Sequence, residues 1–332
     1  TVWGSDWVYG SYWFNVKDSA AASLTSWNDE FGTIPGEYLY ALHEAPTGEL
    51  WFANSAGLLV HDPSQPQLRV FDPALGSGWT GSAPIFFDAR IDGDSVVWCS
   101  SYNVGLFKYD LRSDRSTLCL KNSGGMWTGA NAVRSVDGKV YVATDAELST
   151  IERGTLKKAP VIMRDRNGKR LPSGGVSWMV PDDRGGLWLK SYLAFTHFDT
   201  RTGLAQRFEP DTADPKAMPR ELFHAGACGP DGRFWVGGEE QGLAYYAPSS
   251  GSWTSLVADL REGRSSARRI LDVAVAPDGM VWLGTDGNGL VRYDPRSSRL
   301  ILGFKRGGRL DGVSLFARWM TQAGEELLAD AD

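Results

Sequence analysis

Short apolar runs separated by glycine-bearing turns recur along the chain, and DGMVWLGTDGNGLVRYDP (278–295) shows their pattern. Two strand-like arms flank a glycine-rich reversal. Similar phrases stand at 48–63 (GELWFANSAGLLVHDP), 185–199 (GGLWLKSYLAFTHFD) and 231–248 (DGRFWVGGEEQGLAYYAP). Helical repeats would need apolar residues at i, i+3, i+4 and i+7 over long stretches, and those are missing. β-rich runs punctuated by DG, GG, DP and NG turns stand in their place.

Aligned on the tryptophan, the phrases place Trp51, Trp98, Tyr141, Trp188, Trp235, Trp282 and Leu328 at one position, with steps of 47, 43, 47, 47, 47 and 46. A period in the forties with an aromatic mark predicts a propeller blade of four antiparallel strands. One unit reads as strand a RILDVAVA (269–276), strand b MVWLGT (280–285), strand c GLVRYD (289–294) and strand d RLILGF (299–304). The same order recurs as ALHEA, LWFAN, GLLVHD and LRVFD between 41 and 72, and as GVSWMV, GLWLKS, AFTHFD and AQRFE between 175 and 209. The strand-b ring is expected to fill the wedge between twisted neighbouring blades, so these aromatics read as core. The glycine beyond strand b is expected to supply the positive φ that a tight reversal needs. The third unit (133–154) keeps its DG turn but shortens the a–b connection, which accounts for the step of 43.

The ends must close. SLFARWMTQ (314–322) and ELLADA (326–331) read as strands a and b, while WVYGSYWFNVKD (7–18) and SLTSW (23–27) resemble strands c and d. Joining them completes one blade and removes the open sheet edges. The expectation is an all-β, seven-bladed propeller in one domain, 1–332, closed by pairing of N- and C-terminal strands. Trp7 and Leu328 both compete for the strand-b position of the closing blade, so its division between the termini stays open. If Trp7 takes it, the terminal ELLADAD could be the stump of a following domain.

Composition narrows the function. The 332 residues are 42% hydrophobic and 22% charged, enough for a large core, with a net charge of −6. Acidic and basic residues are interspersed, and no basic stripe for nucleic acid is present. Cys99, Cys119 and Cys228 have no metal-ligand spacing and read as buried thiols. No apolar run reaches the roughly 20 residues of a membrane span. The chain begins with Thr, which is compatible with removal of an export signal. No phosphate-cradling loop, nucleophile elbow or calcium loop occurs, so neither cofactor nor metal is expected.

VSWMVPDDRGGLW (176–188) and ILDVAVAPDGMVWLGTDGNGLVRYDP (270–295) closely resemble the two-component regulator propeller repeat. GRLDGVSLFARW (308–319) resembles that family's link into the next strand a. About six of the seven units carry the likeness, most clearly the fourth and sixth. The resemblance implies the extracytoplasmic sensor region of a bacterial hybrid two-component system: periplasmic or extracellular, binding a ligand that is often a carbohydrate fragment. It also implies pairing through a full-length sensor, because signalling kinases work in pairs.

In such a ring the d–a and b–c loops meet at one mouth. The d–a connections carry Tyr38, Trp79, Trp127, Trp178, His224 and Arg269, with Arg318 just inside strand a at the seam. The b–c turns add Tyr102, Tyr192, Glu240 and Asp286. Aromatic faces stack on sugar rings and Arg can fork onto a carboxylate or sulfate, so a neutral or acidic oligosaccharide suits the set. The competing reading makes Trp127 and Trp178 packing residues and His224 a satisfied histidine. A lyase would use His224 as base with Arg269 and Tyr192 in support. His43, His61 and His197 lie on strands away from any shared centre. A scaffold that binds another protein through its rim is the third class.

Overall fold

The computed structural model describes residues 2–6, 10–15, 20–23, 39–45, 49–54, 57–62, 68–71, 76–81, 84–93, 95–101, 103–122, 129–239, 242–256, 269–285 and 289–301. Every element is a strand; among the described residues there is no helix. The first sheet has three strands, β1 (Val2–Asp6), β2 (Gly10–Asn15) and β3 (Ala20–Ser23). The second is β4 (Leu39–Glu44), β5 (Leu50–Asn54), β6 (Gly57–His61) and β7 (Leu68–Phe71). The third is β8 (Phe86–Asp92), β9 (Val96–Ser101), β10 (Gly105–Asp110) and β11 (Arg115–Lys121). The fourth is β12 (Ala130–Val136), β13 (Lys139–Thr144), β14 (Leu148–Ile151) and β15 (Lys158–Pro160). The fifth is β16 (Val176–Pro181), β17 (Gly186–Ser191), β18 (Ala194–Asp199) and β19 (Ala205–Phe208). The sixth is β20 (Phe223–Cys228), β21 (Phe234–Gly238), β22 (Leu243–Ala247) and β23 (Ser252–Ser255). The seventh is β24 (Ile270–Val275), β25 (Val281–Thr285), β26 (Gly289–Asp294) and β27 (Arg299–Ile301). Strands in each sheet are hydrogen-bonded in chain order, so each four-stranded sheet is an up-and-down meander.

The four-strand reading of the repeat therefore holds in six sheets, and the chain end differs from it. The expected strand over 7–18 is the shorter β2, and β1 lies ahead of it with Trp3, rather than Trp7, at the second position that Trp51 holds in β5. The run at 23–27 overlaps only the end of β3, and those at 314–322 and 326–331 lie outside the described residues. The short a–b connection of the third unit is the two-residue turn Asp137–Gly138, with φ of +46° and +77°. Both residues are left-handed, as a type I′ hairpin demands.

The chain divides into two compact units, Phe31–Arg207 and Thr1–Glu30 with Phe208–Asp332. Within Phe31–Arg207, β4, β8, β12 and β16 lie beside one another in that order; in the other unit β20 lies beside β24. The marked ring locks successive sheets together. Tyr141 of β13 meets Phe198 of β18 edge-on at 6.2 Å, and Trp235 of β21 meets Tyr293 of β26 at 5.9 Å. Trp51, Trp98, Tyr141, Trp188 and Trp235 are all 3% exposed or less. Trp282 is the exception: it is half-buried, with the Arg292 guanidinium 5.8 Å from its ring centre.

Glycine opens β10 where the backbone of β11 approaches closely. At Gly105, φ is +134°, and a Cβ would stand 1.8 Å from the Leu120 carbonyl oxygen, so no side chain fits. The cysteines are free thiols, but only Cys99 is buried; Cys119 and Cys228 are half-buried, contrary to the sequence reading. Burial pushes the Cys119 thiol up to about 11 and the Cys99 thiol well above its usual value, which leaves both inert.

Candidate functional site

One irregularity recurs in all six four-stranded sheets. The register of the first strand against the second slips at Leu39/Ala41, Phe86/Asp88, Ala130/Ala132, Val176/Trp178, Phe223/Ala225 and Ile270/Asp272. Each slip is a bulge, with one residue standing between two successive pairs of the ladder: Tyr40, Phe87, Asn131, Ser177, His224 and Leu271. A bulge interrupts the ladder and re-aims a side chain, and bulges gather beside active sites. The position is fixed by backbone geometry while its chemistry differs in every sheet.

In the fourth and sixth sheets the bulge residue reaches the turn that follows the second strand. Asn131 donates from Nδ2 to Asp145 Oδ1 at 2.9 Å, and to the Val176 carbonyl of the next sheet at 3.2 Å. In the sixth sheet the equivalent pair is His224 and Glu239, where the imidazole Nε2 meets Glu239 Oε2. A carboxylate only accepts, so neutral His224 carries its proton on Nε2 and leaves Nδ1 as an acceptor. The other oxygen, Oε1, holds Arg269 Nε at 3.1 Å, at the entrance to β24. These three side chains are 25–42% exposed. Beside them Leu222 is 43% exposed and Glu221 is buried. Glu221 fills the space that a side chain at Gly238 would need.

In the fifth sheet the equivalents are Ser177 and Tyr192. Ser177 Oγ donates to the Lys190 carbonyl at 3.3 Å, and Tyr192 is 77% exposed. Lys190 fixes that turn from below, its Nζ donating to the carbonyls of Ser191 at 2.9 Å and Tyr192 at 2.5 Å. Lys190 is 3% exposed, and burial lowers its pKa to about 8 from 10.5. Between those values the unfolded chain holds more protons at this site than the fold, so the Lys190 contribution to stability rises with pH. Below pH 8 both states are charged and the burial penalty is fully present. Lys190→Met should therefore have its melting temperature overtaken progressively by the wild type as pH is raised from 8 to 10.5, with a flat difference below 8.

The positions expected from sequence distribute as follows. Tyr38, Tyr102, Trp127, Glu240, Asp286 and Arg318 lie outside the described residues. Trp79 is half-buried, packed over Gly81 with Lys121 Nζ 5.6 Å from its ring. Trp178 stands on strand β16, half-buried, edge-on to Phe195 at 5.5 Å. His224 and Arg269 come together through Glu239, which sequence reasoning passed over in favour of Glu240. Tyr192 belongs to the other compact unit. His197 is structural: it donates to Asp182 at 2.7 Å and lies 4.7 Å from Trp188. Burial raises the Asp182 pKa, but hydrogen bonds from His197, Gly186 and Arg184 outweigh it and hold the carboxyl at about 2.

No family model matches the chain, and no curated protein matches it. Among solved structures, two crystal structures of the extracellular domain of the B. thetaiotaomicron system BT4673 align with 90% of this chain at 16% identity and a TM-score of 0.47. One describes BT4673 as a one-component system and the other as a hybrid two-component system. The chain spans 39% of the length of that domain. The computationally designed protein Ika8 aligns with 79% of this chain and 72% of its own, at 12% identity and a TM-score of 0.53, a likeness of fold alone.

Proposed function

We propose that this chain is a ligand-binding sensor domain, built as a seven-bladed propeller and recognising a carbohydrate outside the cytoplasm. The observation that carries this reading is the recurrent first-strand bulge. Core positions repeat from sheet to sheet, whereas the bulge keeps its geometry and changes its residue. A position so held and so varied is one where selectivity can change from sheet to sheet without rebuilding the core. The three-stranded sheet β1–β3 would supply the second, third and fourth strands of a closing blade. Its first strand would come from 314–322, a one-plus-three seam.

The ligand at the sixth-sheet subsite is uncharged. Glu239 already neutralises Arg269, so a uronate or sulfate would find no net positive charge there. Guanidinium, carboxylate and the free imidazole Nδ1 instead offer donors and acceptors in the mixture that sugar hydroxyls take. The same pairing works against a lyase, because an enolate needs the cation that Glu239 occupies. One feature favours catalysis: a carboxylate-held histidine is the arrangement of a general base.

Thermal-shift screening against an oligosaccharide panel including uronic acids, with product masses read from the same tubes, separates these. A neutral sugar that stabilises the protein and is recovered intact supports the sensor reading. Unsaturated fragments would overturn it. Glu239→Gln is expected to weaken binding of the stabilising sugar about tenfold or more, because a hydrogen bond to a charged group contributes about 1.5–3 kcal/mol.

A further inference from the structure

The connection between β15 and β16 forms a hairpin that no ligand argument uses. Its tip is held by Asp165: the backbone N–H groups of Asn167 and Lys169 donate to Oδ1, each at 2.9 Å, and the Asp165 N–H donates to the Lys169 carbonyl at 2.9 Å. Leu171 N–H donates to the Met163 carbonyl at 3.0 Å, and Arg164 Nη1 to that of Gly168 at 3.0 Å. The hairpin joins the edge of the fifth sheet, since Arg164 bridges both Arg170 and Leu204.

The hairpin has two faces. Val161 and Met163 are buried in one core cluster with Ala205, and Leu171 packs against it. Ile162, Arg164, Arg170 and Leu204 are exposed on the opposite side. Residues bridged across neighbouring strands share a face, so two arginines and two aliphatic side chains form one outward surface. Ile162 is 47% and Leu204 45% exposed, two of the four large exposed hydrophobic residues among those described. Arg166 and Lys169 crown the tip, and Lys157 stands exposed before β15. None of Lys157, Arg166, Lys169 and Arg170 has an ion pair among the described residues. Charge on an edge strand also discourages pairing with another chain, but that does not account for Arg166 at the tip or for the exposed aliphatics.

From this surface we infer that the 161–170 hairpin docks on a membrane face bearing anionic lipid headgroups. The cations are spread along both arms and the tip of an exposed hairpin, which suits a sheet of charge and not a single small anion. Aliphatic side chains beside them suit the boundary between headgroups and acyl chains and would find nothing in a hydrated acidic polymer. The attraction is local: the chain as a whole carries −6 and is repelled by the same surface, so binding fixes the molecule's orientation.

The test is sedimentation of the full chain with phosphatidylcholine vesicles, with and without phosphatidylglycerol, at low and high salt. Binding only to the anionic vesicles, and lost in salt, is expected. Each cation replaced by Gln should lower partitioning about fivefold, so the Arg166/Lys169/Arg170 triple variant should lose about a hundredfold. Ile162→Ser/Leu204→Ser should bind more weakly with the salt dependence unchanged. Arg112→Gln/Arg115→Gln, on the third sheet, serves as the control and should bind as wild type. No binding to anionic vesicles, or equal loss in the control, overturns the proposal. So does displacement by inorganic phosphate at matched ionic strength, or binding to soluble polyglutamate with the vesicles untouched.

Discussion

Trp235→Ala is expected to destabilise the protein by about 3–5 kcal/mol, the range for truncating a fully buried large aromatic. The ring is 1% exposed, tilted 4.7 Å from its cross-strand partner Tyr245 and edge-on to Tyr293 in the neighbouring sheet. Arg233 extends over Tyr245 at 4.9 Å and closes the far side. Collapse cannot refill the space, because the walls are strands of two hydrogen-bonded sheets. Trp282→Ala removes the same residue from the equivalent position of the next sheet, where the ring is half-buried, and should cost about half as much. Urea denaturation of both variants gives the comparison. Equal losses would mean that burial between sheets is not what the marked position contributes.

Asp88→Ala should cost a similar amount, about 3–5 kcal/mol, for a different reason. Its carboxylate is 7% exposed, pairs with Arg90 at 3.2 Å and with Arg134 of the next sheet, and accepts the Val133 N–H at 3.2 Å. Arg134 is 13% exposed, so deleting Asp88 strands a guanidinium in a poorly hydrated place. The attraction between the pair only offsets what both lost on leaving water; breaking one side leaves the penalty alone. Asp88→Ala/Arg134→Ala should accordingly lose less than the two single variants added together. Strict additivity, measured in the same urea series, would remove the coupling between the third and fourth sheets from the account.

How far the chain explained itself varies by level. Strand order and rough bounds followed from alternation and turn residues: GLVRYD at 289–294 is β26 to the residue. The same signals missed β1, because VWGSD stands without a glycine turn before it to announce a second strand. Bulges were out of reach. A slip of one residue inside a six-residue strand leaves its hydrophobic count unchanged, so Tyr40, Phe87, Asn131, Ser177 and Leu271 gave no sign. His224 was noticed for its chemistry rather than its place. Once Asn131 is paired with Asp145, the residue directly after the second strand is marked, and in the sixth sheet that residue is Glu239, a choice between two adjacent glutamates that composition cannot make. The ion pairs depend on register between separate sheets, which no local pattern encodes.

The recurrent bulge also bears on how such a chain can change. The same slip recurs with six different residues, Tyr40, Phe87, Asn131, Ser177, His224 and Leu271, so the backbone there does not depend on one side-chain type, and new residues at these positions alter the chemistry offered. Duplicated units can therefore diverge one slot at a time, and a library randomised at these places would explore recognition while leaving the scaffold intact.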